Sequence, residues 1–540
     1  MKSLYKNFTQ NLWVFFSLIV ILIILSPIFI ILFSSFNFNF YNWNHLLSTK
    51  LNIYIINTIT LLFGVGFCSL LLGLTTAWII VRYDFLFSKI LEWALLLPAA
   101  IPAYIVAYCY TDFLDFSGPL QTFIRDIFLL ENKSDYYFPN IRSMEGTILV
   151  MSFVLYPYVY FLSKVSFLST PVSLYELAQL RGNSIFFDVA LPIARPAIIG
   201  GFSLVLMETI SDFGTVEFFA IETITLGIFN VWLGMNNLVA AAQISIVGFC
   251  FILALLGLEI YARSRQQYVS SSRNQTATAP LVPGVLGVLV CWIVCVIPLL
   301  FGFLIPVCVL ISLVTTNDFI ADFLAIREII FNTLIMAGAA ALVIMVLSSF
   351  IVVTATFRCG SKTRKLALFA STGYAFPGTI VAIGVLTFTG QLDWTISTLV
   401  GMQFKGVLVT SIMMLFFAYI VRFQAVGYGA MISGVKRLPS NMMNASRVLG
   451  RGYIESIRRV ISPLLKSSFL AGVMLVFVDV MKELPMTLLL RPFNFETLAT
   501  YTYQFAKDEM LEVAALPALM IVIAGLLPVI LMSVMLRRYR

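Results

Sequence analysis

The sequence predicts an all-α polytopic membrane protein, with about twelve transmembrane helices in two parallel six-helix repeats. Three observations predict it. The chain is 60% hydrophobic and only 11% charged, with 48 Phe, so most of it sits in lipid rather than around a water-facing core. Apolar stretches of roughly 20 residues, the length that crosses a bilayer, recur about twelve times. A polar segment between the fourth and fifth stretches of the first six returns before the eleventh, with the same pair of acids behind it.

The stretches lie near 12–33, 53–81, 91–113, 146–163, 196–211, 240–261, 281–313, 329–355, 367–389, 406–424, 467–481 and 513–536. The fifth and eleventh are short and run into acidic residues. Lys2 and Lys6 precede the first stretch, as in a signal peptide. Its apolar run of about 22 residues exceeds the roughly 7–15 of a signal sequence, and no small-x-small site follows, so it reads as a retained span.

Lysine and arginine set the expected orientation. With a cytoplasmic amino terminus, the inner segments are 1–11, 82–90, 164–195, 262–280, 356–366, 422–466 and 537–540, and they hold 25 of the 34 basic residues. The outer segments take 20 of the 26 acids. Both termini come out cytoplasmic. The net charge of +8 is therefore a topology signal spread over seven loops, and no basic domain is left to hold nucleic acid.

The seven cysteines (68, 109, 250, 291, 295, 308 and 359) lie in or beside spans and read as small buried residues, although Cys291 and Cys295 share a helix face. The lone His45 has no acidic or cysteine neighbour at ligand spacing. No metal site is assigned.

Residues 262–280 form the longest polar, Ser/Thr-rich run and read as a cytoplasmic linker. It separates a first six-span repeat, 1–261, from a second, 281–540. Asn57-Thr58 matches Asn332-Thr333, Pro98 matches Pro377, Glu222-Thr223 matches Glu496-Thr497, and Val239-Ala240 matches Val513-Ala514. Six is an even number, so both copies enter from the same side and the repeats are parallel.

Each half places its longest inner loop before its fifth span. The first reads Tyr175-Glu-Leu-Ala-Gln-Leu-Arg-Gly182, then Ala190-Leu-Pro192; the second reads Asn444-Ala-Ser-Arg-Val-Leu-Gly450, then Ile461-Ser-Pro463. Small residues (Ala178, Ala445) let another surface approach closely, and Gly182 and Gly450 permit a turn between helical pieces. Pro192 and Pro463 fit as the first residue of the next helix, where a missing N–H costs little. A helix resting on headgroups is the plainer reading of one such loop; two aligned copies favour a docking surface.

Behind each loop stand Glu208 and Asp212, and 271 positions later Asp479 and Glu483, each pair on one helix face. An acid facing lipid costs roughly 2.5–3.5 kcal/mol on insertion scales. These four must face water, each other or bases such as Lys482 and Arg491. One reading has them ring the mouth of a cation path; the other has them cap helix ends and orient spans. Residues 208–238 add Glu217 and Glu222 and contain no Lys or Arg, which favours that segment for the path.

The loops resemble the Glu-Ala-Ala motif of binding-protein-dependent ABC importer permeases, in which Glu-Ala-Ala, three residues, Gly and nine residues precede Ile-x-Leu-Pro. In the second half the Gly450-to-Pro463 spacing matches, with Asn444, Ser446, Val460 and Ser462 departing. In the first, Glu176, Ala178 and Leu191-Pro192 fit, but Gly182 lies three residues too close to Pro192. A narrower resemblance, to the fused permeases of ferric iron importers, rests on Ala99 to Asp112, Met207 to Glu217, Asp479 to Pro492 and Glu496 to Thr500. Fused thiamine permeases are the nearest alternative.

The resemblance implies the type I ABC permease fold in a bacterial inner membrane. It also implies coupling helices seated in two cytoplasmic ATPase subunits and substrate delivered by a periplasmic binding protein. The chain has no Gly-x-x-x-x-Gly-Lys-Ser/Thr stretch to cradle a phosphate, so ATP is expected on partner subunits, and the chain itself is expected to do no bond chemistry and to carry no cofactor. A twelve-span secondary transporter is the competing class; it needs no duplicated docking loop. A membrane scaffold has no reason to keep four duplicated acids.

Overall fold

The computed structural model describes residues 2–34, 48–182, 184–235, 237–264, 281–316, 319–358, 367, 373–401, 408–439 and 441–537. The expected linker lies almost wholly outside the described residues, as do His45 and Cys359. Eleven helices among the described residues are long and apolar enough to cross a bilayer, and a twelfth span is a bent pair.

In the first half, α1 (Lys2–Ser34) and α2 (Leu51–Arg82) are followed by the short α3 (Ser88–Ala94) and by α4 (Ala103–Leu114) and α5 (Pro119–Phe128). Then come α6 (Met144–Ser169), α7 (Val172–Leu180), α8 (Leu191–Ser211), α9 (Gly214–Phe218), α10 (Ile224–Leu233) and α11 (Leu238–Ser264). The second half runs through α12 (Val285–Leu299), α13 (Ile305–Thr316), α14 (Phe319–Phe357), α15 (Gly378–Val400) and α16 (Ile412–Val435). It continues with α17 (Met442–Val448), α18 (Tyr453–Ser456), α19 (Ser462–Met481), α20 (Pro485–Leu490), α21 (Leu498–Lys507) and α22 (Leu511–Arg537).

The third expected span is broken. Segments Ser88–Ala100 and Ala103–Phe128 meet at 93°. Ile101 precedes Pro102 and is pushed out of the helical region, to φ −99 and ψ 125, so the helix stops and restarts at Ala103. In the ninth expected span Pro377 (φ −50, ψ 142) is likewise the residue before a helix, α15. Pro102, with φ −59 and ψ 140, holds that place before α4. The partner of Pro377 is therefore Pro102 and not Pro98. This register aligns Ile105-Val-Ala107 with Ile380-Val-Ala382, at the same offset of 275 that relates Asn57 to Asn332.

One hydrogen bond occurs in both halves. Thr58 donates its hydroxyl to the Tyr54 carbonyl and accepts from the Ile224 amide at 3.0 Å; Thr333 donates to Ile329 and accepts from the Leu498 amide at 2.9 Å. Each satisfies an amide that the first turn of a helix leaves without an intrahelical partner.

Packing sorts the chain into two compact units, and each takes members from both sequence halves. One holds Met1–Asn39, Val231–Ile246 and Leu324–Tyr501; the other holds Phe40–Asn230, Val247–Phe323 and Thr502–Arg540. In the former, α1 packs on α15, where a Cβ at Gly384 would meet the Pro27 carbonyl at 2.7 Å. In the latter, the π-turn Leu300–Leu304 after α12 leans on α6 at Gly302, which lies against the Phe153 carbonyl, and α22 meets the Ala100 carbonyl at Gly525. Glycine at these points lets backbone approach backbone.

Candidate functional site

The two loop helices, α7 and α17, are built alike. Gly182 (φ +69) and Gly450 (φ +80) both take the left-handed conformation that ends a helix. A new helix begins three residues later in each loop, at Ile185 and Tyr453. It then passes through a π-turn, Ile185–Ala190 in the first half and Ile457–Ile461 in the second. The amide of Leu191 bonds Phe186 and that of Ser462 bonds Ile457, each five residues back. Pro192 and Pro463 follow at once. A proline ring clashes with the carbonyl four residues behind it, and a π-turn moves that carbonyl away. The prolines are thus not the first residues of fresh helices, as the sequence suggested, but sit inside helices that run continuously over Ile185–Ser211 and Tyr453–Met481.

The short spacing of the first loop has the same geometry as its explanation. The second half carries one extra helical turn, α18, before its π-turn, and this accounts for the three-residue difference. Both loops still close on a glycine and open on a helix.

Burial divides the loop residues. Tyr175 and Ala178 face inward on α7, as Met443 and Ser446 do on α17. The Trp78 ring holds the first loop, lying against Tyr175 and at 5.0 Å from Phe186. In the second, Tyr453 lies under the Arg358 guanidinium at 3.7 Å and beside Trp13, while the Ser446 and Ser456 hydroxyls share a 2.8 Å hydrogen bond. Glu176, Gly182, Asn444, Ala445 and Gly450 are exposed. So are Leu177 and Leu180 (86%) on the first helix and Val448 (88%) and Leu449 on the second. Ala178, expected as a contact residue, is instead the point where α7 rests on its own unit; the apolar exposed positions were missed because the motif reading weighed small residues only.

The four acids are placed in two kinds of site. Asp212 follows α8 and accepts from the amides of Thr215 (2.9 Å) and Val216 and from the Thr215 hydroxyl, capping α9. Glu483 follows α19 and accepts from the Met486 amide at 3.1 Å, capping α20. It also takes a 2.8 Å ion pair from Arg422, with both side chains buried. Glu208 and Asp479 stand one turn earlier, partly exposed; Asp479 lies 3.1 Å from Lys482. Arg491 pairs with Glu496 rather than with these acids.

The segment 208–238 has no base of its own, yet two of its acids are neutralised by bases from elsewhere. Glu217 takes Lys507 at 2.6 Å and Glu222 takes Lys50 at 2.6 Å. Its claim on a cation path therefore narrows. Among the described residues no group of three or more His, Cys, Asp or Glu is gathered as metal ligands, and Cys250 and Cys308 are exposed where burial was expected.

No protein-family model matches the sequence. Over 497 residues, 88% of this chain and 88% of the relative, it is 24% identical to the Fe(3+)-transport system permease protein FbpB 2 of Haemophilus influenzae. It is 25% identical over 154 residues (28% of this chain, 64% of the relative) to the molybdenum transport system permease protein ModB of the same organism. Over 217 residues (39% and 75%) it is 24% identical to a putative 2-aminoethylphosphonate transport system permease protein, PhnU, of Salmonella typhimurium. All three are permeases, and the first runs nearly the whole length of both halves. Along both halves the chain is similar to transport permeases.

Two buried bases were misread from sequence. Arg422 and Lys164 were counted with cytoplasmic loops, yet Arg422 lies within α16 on Glu483, and Lys164 lies within α6, 3.0 Å from Glu92. Both stand in apolar runs (Tyr419-Ile-Val-Arg, Tyr160-Phe-Leu-Ser-Lys), and an ionised residue inside a span demands a partner. That demand was the available signal.

Proposed function

We propose that the permease moves ferric iron across the bacterial inner membrane. In this reading a periplasmic binding protein delivers the ion, and two ATPase subunits drive the cycle from the cytoplasmic side, where both termini lie. The observation that carries the ferric reading is the match to an Fe(3+)-transport permease along 88% of both chains. The relatives for molybdenum and for 2-aminoethylphosphonate support only the permease class, since each covers one part of the chain.

The ATPase contacts are assigned to α7 and α17. Glu176, Gly182, Asn444, Ala445 and Gly450 are exposed there beside Leu180 and Val448, whose apolar surface gains from being covered. Ala178, Pro192 and Pro463 shape these loops from behind. The permease does no bond chemistry; its part is to couple loop motion to the spans.

Of the four acids, Glu208 and Asp479 are assigned to the cation path, because their carboxylates are partly exposed and stand 271 positions apart in matched helices. Asp212 and Glu483 fix α9 and α20, each within its own unit. A conduit needs weak contacts that release the ion readily.

The test is radiolabelled ferric uptake in cells lacking the permease and then complemented with it, with excess thiamine as competitor. Restored, thiamine-insensitive uptake supports the ferric reading. Entry of labelled thiamine with no iron uptake keeps the importer class and removes the substrate. The double variant Glu208→Gln/Asp479→Asn is expected to assemble and to transport poorly; uptake at the original rate rejects the path assignment.

A further inference from the structure

We propose that α5 lies in the boundary layer of the bilayer, with its apolar face among lipid acyl chains. For a segment in water this helix is inside out. Leu120, Phe123, Ile124, Ile127 and Phe128 fall on one side of it, and Gln121, Thr122 and Arg125 on the other. A surface helix of a water-soluble domain turns its apolar side to the core. Here the polar side is the one turned inward. Gln121 is buried and Arg125 half-buried, whereas Phe123 (62%), Ile127 and Phe128 (68%) are exposed.

The polar side finds its partners within the segment itself. Gln121 donates to the Leu114 carbonyl at 2.7 Å and accepts from the Tyr136 hydroxyl at 2.6 Å. Arg125 donates to the Phe116 carbonyl at 2.6 Å, and its guanidinium lies 4.0 Å from the centre of the Phe116 ring. Hydrogen bonds therefore fix the rotation of α5. Turning the helix to hide its phenylalanines would leave these polar groups unpaired.

What meets the apolar side follows from where the helix starts. The second arm of the bent third span, α4, ends at Leu114, and the chain doubles back at once. A Cβ at Gly118 would meet the Asp112 and Phe113 carbonyls of α4, and Gln121 bonds Leu114 in its last turn. So α5 begins at the level where a span leaves the hydrocarbon. An apolar face held at that level is covered by lipid, as in amphipathic helices that lie in the plane of an interface with one side buried by about 5–10 Å.

Two further features agree. Tyr137, 91% exposed just beyond, is of the residue type that collects at the membrane–water boundary. The exposed charges of the segment are Asp115, Asp126, Glu131 and Asp135 against Lys133, which offers anionic headgroups no attraction. Apolar burial alone holds the helix, so neutral lipid suffices.

The test uses the protein in nanodiscs of phosphatidylcholine. Phe123→Cys and Phe128→Cys are each labelled with a small fluorophore, and the signal of the unmodified chain labelled in the same way is subtracted. Lipid with a nitroxide near the acyl carbonyl is expected to quench most of the emission at both positions, and to do so better than lipid with the nitroxide at the chain end. Aqueous iodide is expected to quench little. Lys133→Cys, in the exposed loop before Tyr136, should respond to iodide instead.

Quenching of both labels by iodide and not by lipid places the face in water and overturns the assignment. Quenching by neither means that protein covers the face, and it overturns the assignment as well; shielding that appears only when a binding protein is added gives the surface to that partner. None of these outcomes depends on the transported ion, so the ferric reading stands or falls separately. Should either variant fail to fold, Leu129→Cys, 87% exposed just past the helix, is read by the same quenchers with the same outcomes.

Discussion

Arg422 and Glu483 form a 2.8 Å ion pair in which both side chains are buried, at 8% and 5% exposure. Glu483 also accepts from the Met486 amide, so one carboxylate ties α16 to the start of α20. Gly378 sits directly beside the pair; a Cβ there would meet both the guanidinium and the carboxylate. Removing one partner of a buried pair leaves a charge uncompensated, which costs about 3–5 kcal/mol, whereas replacing both with apolar residues is far milder. Arg422→Met should therefore lower thermal stability in nanodiscs much more than the double variant Arg422→Met/Glu483→Leu. Equal losses would show that the pair holds nothing together.

Thr58→Val and Thr333→Val should behave as matched variants. Each keeps side-chain shape and removes the acceptor for one buried amide, Ile224 or Leu498. An amide left unsatisfied costs about 1–3 kcal/mol. Melting temperatures should drop by similar amounts. A loss confined to one variant would break the structural equivalence of the two halves at this point.

Leu180→Ser and Val448→Ser should leave the isolated permease as stable as before, because both side chains are exposed. Copurification of ATPase subunits and ATP-dependent uptake should both decline. Full retention of the ATPase in a variant carrying both changes would move the docking surface away from α7 and α17.

Gly450→Ala probes the turn itself. At φ +80 an alanine pays a left-handed penalty of roughly 1–2 kcal/mol, and no neighbour lies within 4 Å of the added methyl group. Backbone strain is thus the whole effect. Coupling of ATP hydrolysis to uptake should weaken with only a small fall in melting temperature, and Gly182→Ala should do the same in the first loop.

The number of spans, the duplication and the two loops were legible in the sequence, because lipid demands long apolar runs and a repeated chain repeats its polar interruptions. Glycine and proline marked the loop boundaries by their own backbone chemistry. They could not say which way a helix passes a proline: the π-turns at Ile185–Ala190 and Ile457–Ile461 depend on continuous packing on both sides. The pairing of Pro377 with Pro102 rather than Pro98 was missed, although the Ile-Val-Ala that follows both prolines stood in the sequence; their shared position before a helix decided it.

By itself, then, the sequence determined that this chain is built of helices long and apolar enough for lipid and that acids recur at fixed places. Only the tertiary structure decided what those acids do. A carboxylate's role depends on which base or amide reaches it, and the partners of Glu483, Glu217 and Glu222 are Arg422, Lys507 and Lys50, from 61 to 290 positions away. Separation along the chain carries no information about such contacts; folding supplies it by bringing distant helices within hydrogen-bond reach.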